Sequence, residues 1–91
     1  MANHKSAKKR IRQNEKRRIR NRYWRTSMRT SIRKVRAAVG TGNLDEARTN
    51  LQKAVRLIGK VRSKGIIHRN QASRRISRLT RFVNQAGNGQ A

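Results

Sequence analysis

The chain has 91 residues, enough for one small domain, and carries 26 Lys and Arg against Glu15, Asp45 and Glu46, a formal net charge of +23. Such a charge repels itself in a compact fold and is tolerated against a polyanionic partner, most commonly nucleic acid. The absence of cysteine excludes disulfides and thiolate metal sites, and no apolar run approaches the ~20 residues of a membrane span.

Arg outnumbers Lys by 18 to 8, and its planar fork of donors grips phosphate bidentately and stacks on bases. Apolar residues make up 33% of the chain and the aromatics are only Tyr23, Trp24 and Phe82, so the isolated domain is expected to be marginally stable. There is no proline, which leaves long helices uninterrupted. The opening Met1 to Arg10 lacks the apolar core of a secretory signal. Its basic pattern continues through Arg36, as in mature protein rather than a mitochondrial leader, and a cytoplasmic location is expected.

Glycines divide the chain: Gly40 and Gly42, then Gly65, then Gly87 and Gly89 stand where apolar helical patterns stop. The first helix is expected over 6–39. Its second half places Trp24, Met28, Ile32, Val35 and Val39 on one face. Its first half offers only Ala7, Ile11 and Ile19 among cations that project around most of the circumference, Lys16 and Arg17 included. A helix polar all round is not held by a protein core.

The second helix, expected over 44–63, follows Asn43 as N-cap, with Glu46 reaching back as in a capping box. Asp45 and Glu46 then lie in a first turn, where the helix dipole favours negative charge. Its apolar face is Leu44, Ala47, Leu51, Ala54, Ile58 and Val61. The third helix, over 69–85, buries Ala72, Ile76, Leu79, Val83 and Ala86 and presents Arg74, Arg75, Arg78 and Arg81 opposite.

Short connections imply antiparallel neighbours, hence an all-α, antiparallel three-helix bundle with a long overhanging basic N-terminal helix. Residues 1–86 form this single domain, and 87–91 are expected to be a flexible tail. At 1.5 Å per residue the first helix is ~50 Å long, against ~30 Å and ~27 Å for the others. Its N-terminal half therefore overhangs by roughly 20 Å, as a probe for insertion among RNA strands that is frayed up to about Arg22 when free.

Catalysis has little to work with. The three carboxylates have structural readings, and His4 and His68 stand alone, far from the three or four converging donors of a metal site. No cofactor is expected. Fifteen of the 26 cations lie between Lys5 and Arg36, a segment with one acid, and phosphate is their natural counter-charge. Trp24 continues the Met28, Ile32, Val35 face and is expected to cap the core, whereas Tyr23 stays open between packing and stacking on bases. The hydroxyls of Thr26, Ser27, Thr30 and Ser31 suit phosphate or ribose, or simply solvent.

Three separated motifs carry a family resemblance. The opening Ala2-Asn-His-Lys-Ser-Ala-Lys-Lys-Arg10, the pair Met28-Arg-Thr30 and Ile32-Arg-Lys-Val35, and Gly65-Ile-Ile-His-Arg-Asn70 with Ala72, Arg74 and Ser77-Arg-Leu79 occur in order. Together they resemble the bacterial small-subunit ribosomal protein S-twenty family over all but the tail. The resemblance implies a three-helix bundle that binds small-subunit ribosomal RNA directly, bridging the 5′ domain and the 3′ minor domain helix without catalysis. It implies a monomer with few protein neighbours and no membrane. By position, it implies RNA contacts from Lys5, Ser6, Lys8, Lys9, Arg10 and Arg12 on the arm. Arg29, Thr30 and Lys34 follow in mid-helix, then His68, Asn70, Arg74 and Arg78 on the third helix.

Two departures stand out: Gly59 replaces the Asp that often follows the isoleucine, and Arg22-Tyr-Trp-Arg25 is bulkier than the small, polar residues expected there. A general nucleoid-type nucleic-acid-binding protein is the alternative that charge and helices also fit. A protein docking on acidic surfaces or anionic membrane is a third reading, against which the arm offers little apolar surface beyond Ile11 and Ile19.

Overall fold

The computed structural model describes residues 3–89, with side chains from 6 to 88, as three α-helices and no strand: α1 (Asn3–Gly40), α2 (Leu44–Ser63) and α3 (Arg69–Gly89). They run up, down and up. α2 packs extensively on α1 and on α3, while α1 and α3 meet least. The molecule measures 71 × 22 × 14 Å, elongated because the 38 residues of α1 span ~57 Å and outrun the bundle.

Both turns are built by one device. Gly42 (φ +80°) and Gly65 (φ +74°) adopt the left-handed conformation that a side chain disfavours. At the first, Gly42 N–H donates to Val39 O and Asn43 N–H to Ala38 O, both at 3.0 Å. At the second, Gly65 N–H donates to Arg62 O at 2.9 Å and Ile66 N–H to Val61 O at 3.2 Å. These are Schellman closures, which satisfy the orphan carbonyls of a helix end.

Asn43 then serves twice. Its backbone closes α1, and its Oδ1 accepts from Glu46 N–H at 3.2 Å to cap α2. The capping box differs from expectation in one bond. Asn43 N–H is already spent on Ala38, so the Glu46 carboxylate takes its hydrogen bond from Asn43 Nδ2 at 3.1 Å.

The core is apolar: among the described residues no polar or charged residue is buried as a whole. It forms two stacked clusters with Ile32 between them. Nearest the α1–α2 turn, Val35, Ala38, Ala47, Ala54, Leu79 and Val83 pack together. Nearest the α2–α3 loop, Met28, Ile58, Val61, Ile66 and Ala72 do the same. Alanines at the crossings set how closely the helices approach. The expected faces are confirmed on all three helices, and Trp24 closes the second cluster, half-buried against it.

Two details correct the sequence reading. Ile66, in the α2–α3 loop and absent from the expected core, is buried. Following the left-handed Gly65, it makes the apolar contact that accompanies such a closure, packing in the same cluster as Val61. The third helix does not stop at 85: Gly87 and Gly89 lie within it, and a Cβ at Gly87 would stand 3.2 Å from Arg48 Nη2. Of the tail expected over 87–91, residues 90 and 91 lie outside the described residues.

Candidate nucleic-acid interface

From Ser6 to Arg20 every residue of α1 is exposed; the first to be partly covered is Asn21. Lys8, Lys9, Arg10, Arg12, Lys16 and Arg17 are therefore all exposed on α1, and the Ser6 side chain is exposed with them. Lys5 lies on α1, outside the described side chains. Among the described residues the ion pair is Arg18 with Glu15, at 2.7 Å and exposed on both sides, a contact worth ~0–1 kcal/mol. The other described cations have no carboxylate partner.

Where the arm joins the bundle, Arg17, Arg18, Arg22, Arg25 and Arg29 line a shallow concavity along α1 with Asn14, Asn21 and Thr26. The expected residues Arg17 and Arg29 meet here. Asn21 Oδ1 is buried with no hydrogen-bond partner among the described residues. Thr30 and Lys34 instead face a groove between α1 and α2, opposite Asn50, Lys53 and Leu57.

His68, Asn70, Arg74 and Arg78 are all exposed on α3 or at its start. His68 is the N-cap: its Nδ1 accepts from Asn70 N–H at 3.1 Å, and its carbonyl accepts from Ala72 N–H at 3.1 Å. An accepting Nδ1 requires the ring proton on Nε2. Arg62 and Arg69 flank the same loop, so cations gather at the positive end of the α3 dipole. Arg25 Nη2 donates to Ile66 O at 3.2 Å, which brings the arginines of α1 to the end of the bundle where His68 stands.

Sequence reasoning passed over several of these groups. Arg18, Arg22 and Arg25 repeat at helical steps with the expected Arg29, a stripe visible in the sequence beside the apolar face. Lys60 and Lys64 had no such signal: their Nζ atoms lie 5.4 Å and 4.6 Å from the centre of the Trp24 ring, each a cation–π contact made only by docking α2 on α1.

Among the described residues no group of His, Asp or Glu can hold a metal ion, and no helix is long and apolar enough to cross a membrane. What the surface presents is cation, hydroxyl and amide over two helices and a helix start.

Comparison with known proteins decides the family. Residues 2–84 match the family described as Ribosomal protein S20. The chain belongs to the ribosomal protein S20 family. A relative named "Small ribosomal subunit protein bS20" in Geobacter sulfurreducens is 52% identical over 87 residues, covering 96% of this chain and 100% of the relative. Another of the same name in Thermobifida fusca is 48% identical over 91 residues, covering 100% of this chain and 99% of the relative. A third, in Syntrophobacter fumaroxidans, is 49% identical over 84 residues, covering 92% and 98%. Membership of the S20 family makes the chain a structural constituent of the ribosome and not an enzyme.

Proposed function

We propose that this chain binds small-subunit ribosomal RNA directly, through Arg and Lys contacts to phosphate, and stabilises the folded RNA. It acts in the cytoplasm, as a monomer within the small ribosomal subunit. The arm from Ser6 to Arg20, exposed on every side and nearly free of acids, carries the reading. A helical segment that leaves every residue exposed, yet carries so many uncompensated cations, gains its stability from a polyanion that surrounds it.

The contacts proposed are Lys5, Ser6, Lys8, Lys9, Arg10, Arg12, Lys16 and Arg17 on the arm, Arg29, Thr30 and Lys34 in mid-helix, and His68, Asn70, Arg74 and Arg78 on α3. Basic groups at a projecting arm and at a second helix suit an irregular RNA fold better than one groove of a duplex. The family resemblance adds the two regions bridged, the 5′ domain and the 3′ minor domain helix, with few protein neighbours.

The test is a salt titration of binding to small-subunit ribosomal RNA, with transfer RNA and duplex DNA as competitors. A tight site that survives at physiological salt, where both competitors fail, supports recognition of one RNA shape. Equal binding to all three, lost together as salt rises, replaces this reading with a nucleoid-type binder.

A further inference from the structure

Beyond phosphate binding, the groove between α1 and α2 has the chemistry of a nucleotide site. Tyr23 and Ile19 lie on its α1 side and are 64% and 59% exposed, a large apolar surface for so polar a molecule. Leu57 of α2 faces them. The Tyr23 ring is not loose: it meets Trp24 edge-on, with centroids 5.4 Å apart and planes at 81°. Trp24 is itself held by the core and by Lys60 and Lys64. The phenol is thus oriented and still open to a planar partner.

Around this ring the ionisable groups lining the groove are Arg22, Lys34 and Lys53, all cations. Thr26 and Thr30 lie between Arg22 and Lys34 at helical steps of four, and their hydroxyls have no partner among the described residues. Ser27, by contrast, has spent its hydroxyl on Tyr23 O at 2.9 Å. A ligand that matches needs a flat apolar ring, a hydroxyl or other polar group beside it, and negative charge at either end. An acidic peptide supplies the charge without the ring. An unpaired ribonucleotide within an RNA strand supplies all three: base, ribose 2′-hydroxyl and flanking phosphates.

We infer that the α1–α2 groove holds an unpaired nucleotide of the bound RNA, its base stacked on Tyr23. The ribose lies beside Thr26 and Thr30, and Arg22, Lys34 and Lys53 take the adjoining phosphates. The inference rests on the RNA-binding reading and deepens it, giving Tyr23 a role that charge alone does not.

The experiment compares the full chain with Tyr23→Phe, Tyr23→Leu and Lys34→Ala in salt titrations on small-subunit ribosomal RNA. Tyr23 is exposed, and matched helical circular dichroism and melting show that each variant folds. Tyr23→Phe is expected to bind as the parent does, because the stacking face is kept. Tyr23→Leu is expected to lose roughly 5- to 150-fold in affinity, the range of one base stack. Its salt slope stays unchanged because stacking releases no counterions, whereas Lys34→Ala flattens the slope by about one charge.

Equal affinities of Tyr23→Leu and the parent on the ribosomal RNA overturn the groove assignment while leaving phosphate binding intact. Failure of the parent itself to bind overturns both. Polyglutamate binding as tightly as an oligouridylate, with no response to Tyr23→Leu, would show an acidic protein site instead and also overturns the nucleotide.

Discussion

Arg25 reaches from α1 to the backbone of the α2–α3 loop, its Nη2 donating to the Ile66 carbonyl at 3.2 Å. The same residue, Ile66, turns its side chain into the second core cluster. One loop residue is therefore held from both sides, by a cation outside and by apolar packing inside. Arg25→Ala is expected to lower stability by about 1 kcal/mol, the usual worth of a partly exposed hydrogen bond. Urea unfolding followed by circular dichroism measures it, and an unchanged midpoint would remove Arg25 from the structural account.

Ile66→Ala acts on the other half of that anchor. Cutting a buried isoleucine to alanine costs ~2–5 kcal/mol, and a domain this small has little stability in reserve. The variant is expected to melt early and with poor cooperativity. A loss under about 1 kcal/mol would mean that the loop does not pack as described.

Gly59 lies inside α2, four residues before its end, and a Cβ built there meets no heavy atom within 4 Å. Gly59→Ala should therefore recover the helix propensity lost at this position, up to ~1 kcal/mol, a rise in melting temperature of about 4–8 °C for a domain of this size. A fall on thermal melting would show that the space is not open.

The arm and the bundle are expected to differ in hydrogen exchange. Backbone amides from 6 to 20 belong to helix whose every residue is exposed, and helix with little tertiary support is marginal in water. Free protein should exchange there far faster than around Val35, Ile58 and Leu79, and RNA should confer protection on the arm. Uniform protection along α1 without RNA would show that the arm needs no partner to be helical.

Replacing Lys8, Lys9 and Arg12 together with alanine removes three exposed arm cations. Each engaged cation contributes roughly 0.9 to the salt slope on duplex RNA and less on single strands. The slope should fall by about 2 to 3 with the melting temperature of the free protein unchanged, because no core group is touched. An unchanged slope would exclude these three from the RNA contact.

Much of this molecule was legible before any tertiary information. Helix existence, the three apolar faces, the Asn43 cap and the uncompensated basic arm are properties of a chain read one turn at a time. They depend on steps of three and four residues, on a capping side chain and on glycine at a helix end. The family motifs at the N-terminus, at Met28 and at Gly65 pointed to the same partner.

What the tertiary structure decided is how one helix faces another. The three-four periodicity of α2 says that Lys53, Leu57, Lys60 and Lys64 lie near or off its apolar stripe. Only the rotation and register of α2 on α1 set Lys53 and Leu57 across from Tyr23 and Thr30, and Lys60 and Lys64 over Trp24. In the same way, Arg36 stands 5.7 Å from the centre of the Phe82 ring because α3 docks where it does. Ile66 belongs to no helical period, and its burial follows from the path that Gly65 imposes on the loop. Local patterns record which side of a helix avoids water. The partner across the gap is chosen by the packing of all three helices at once, to which every side chain at the contacts contributes.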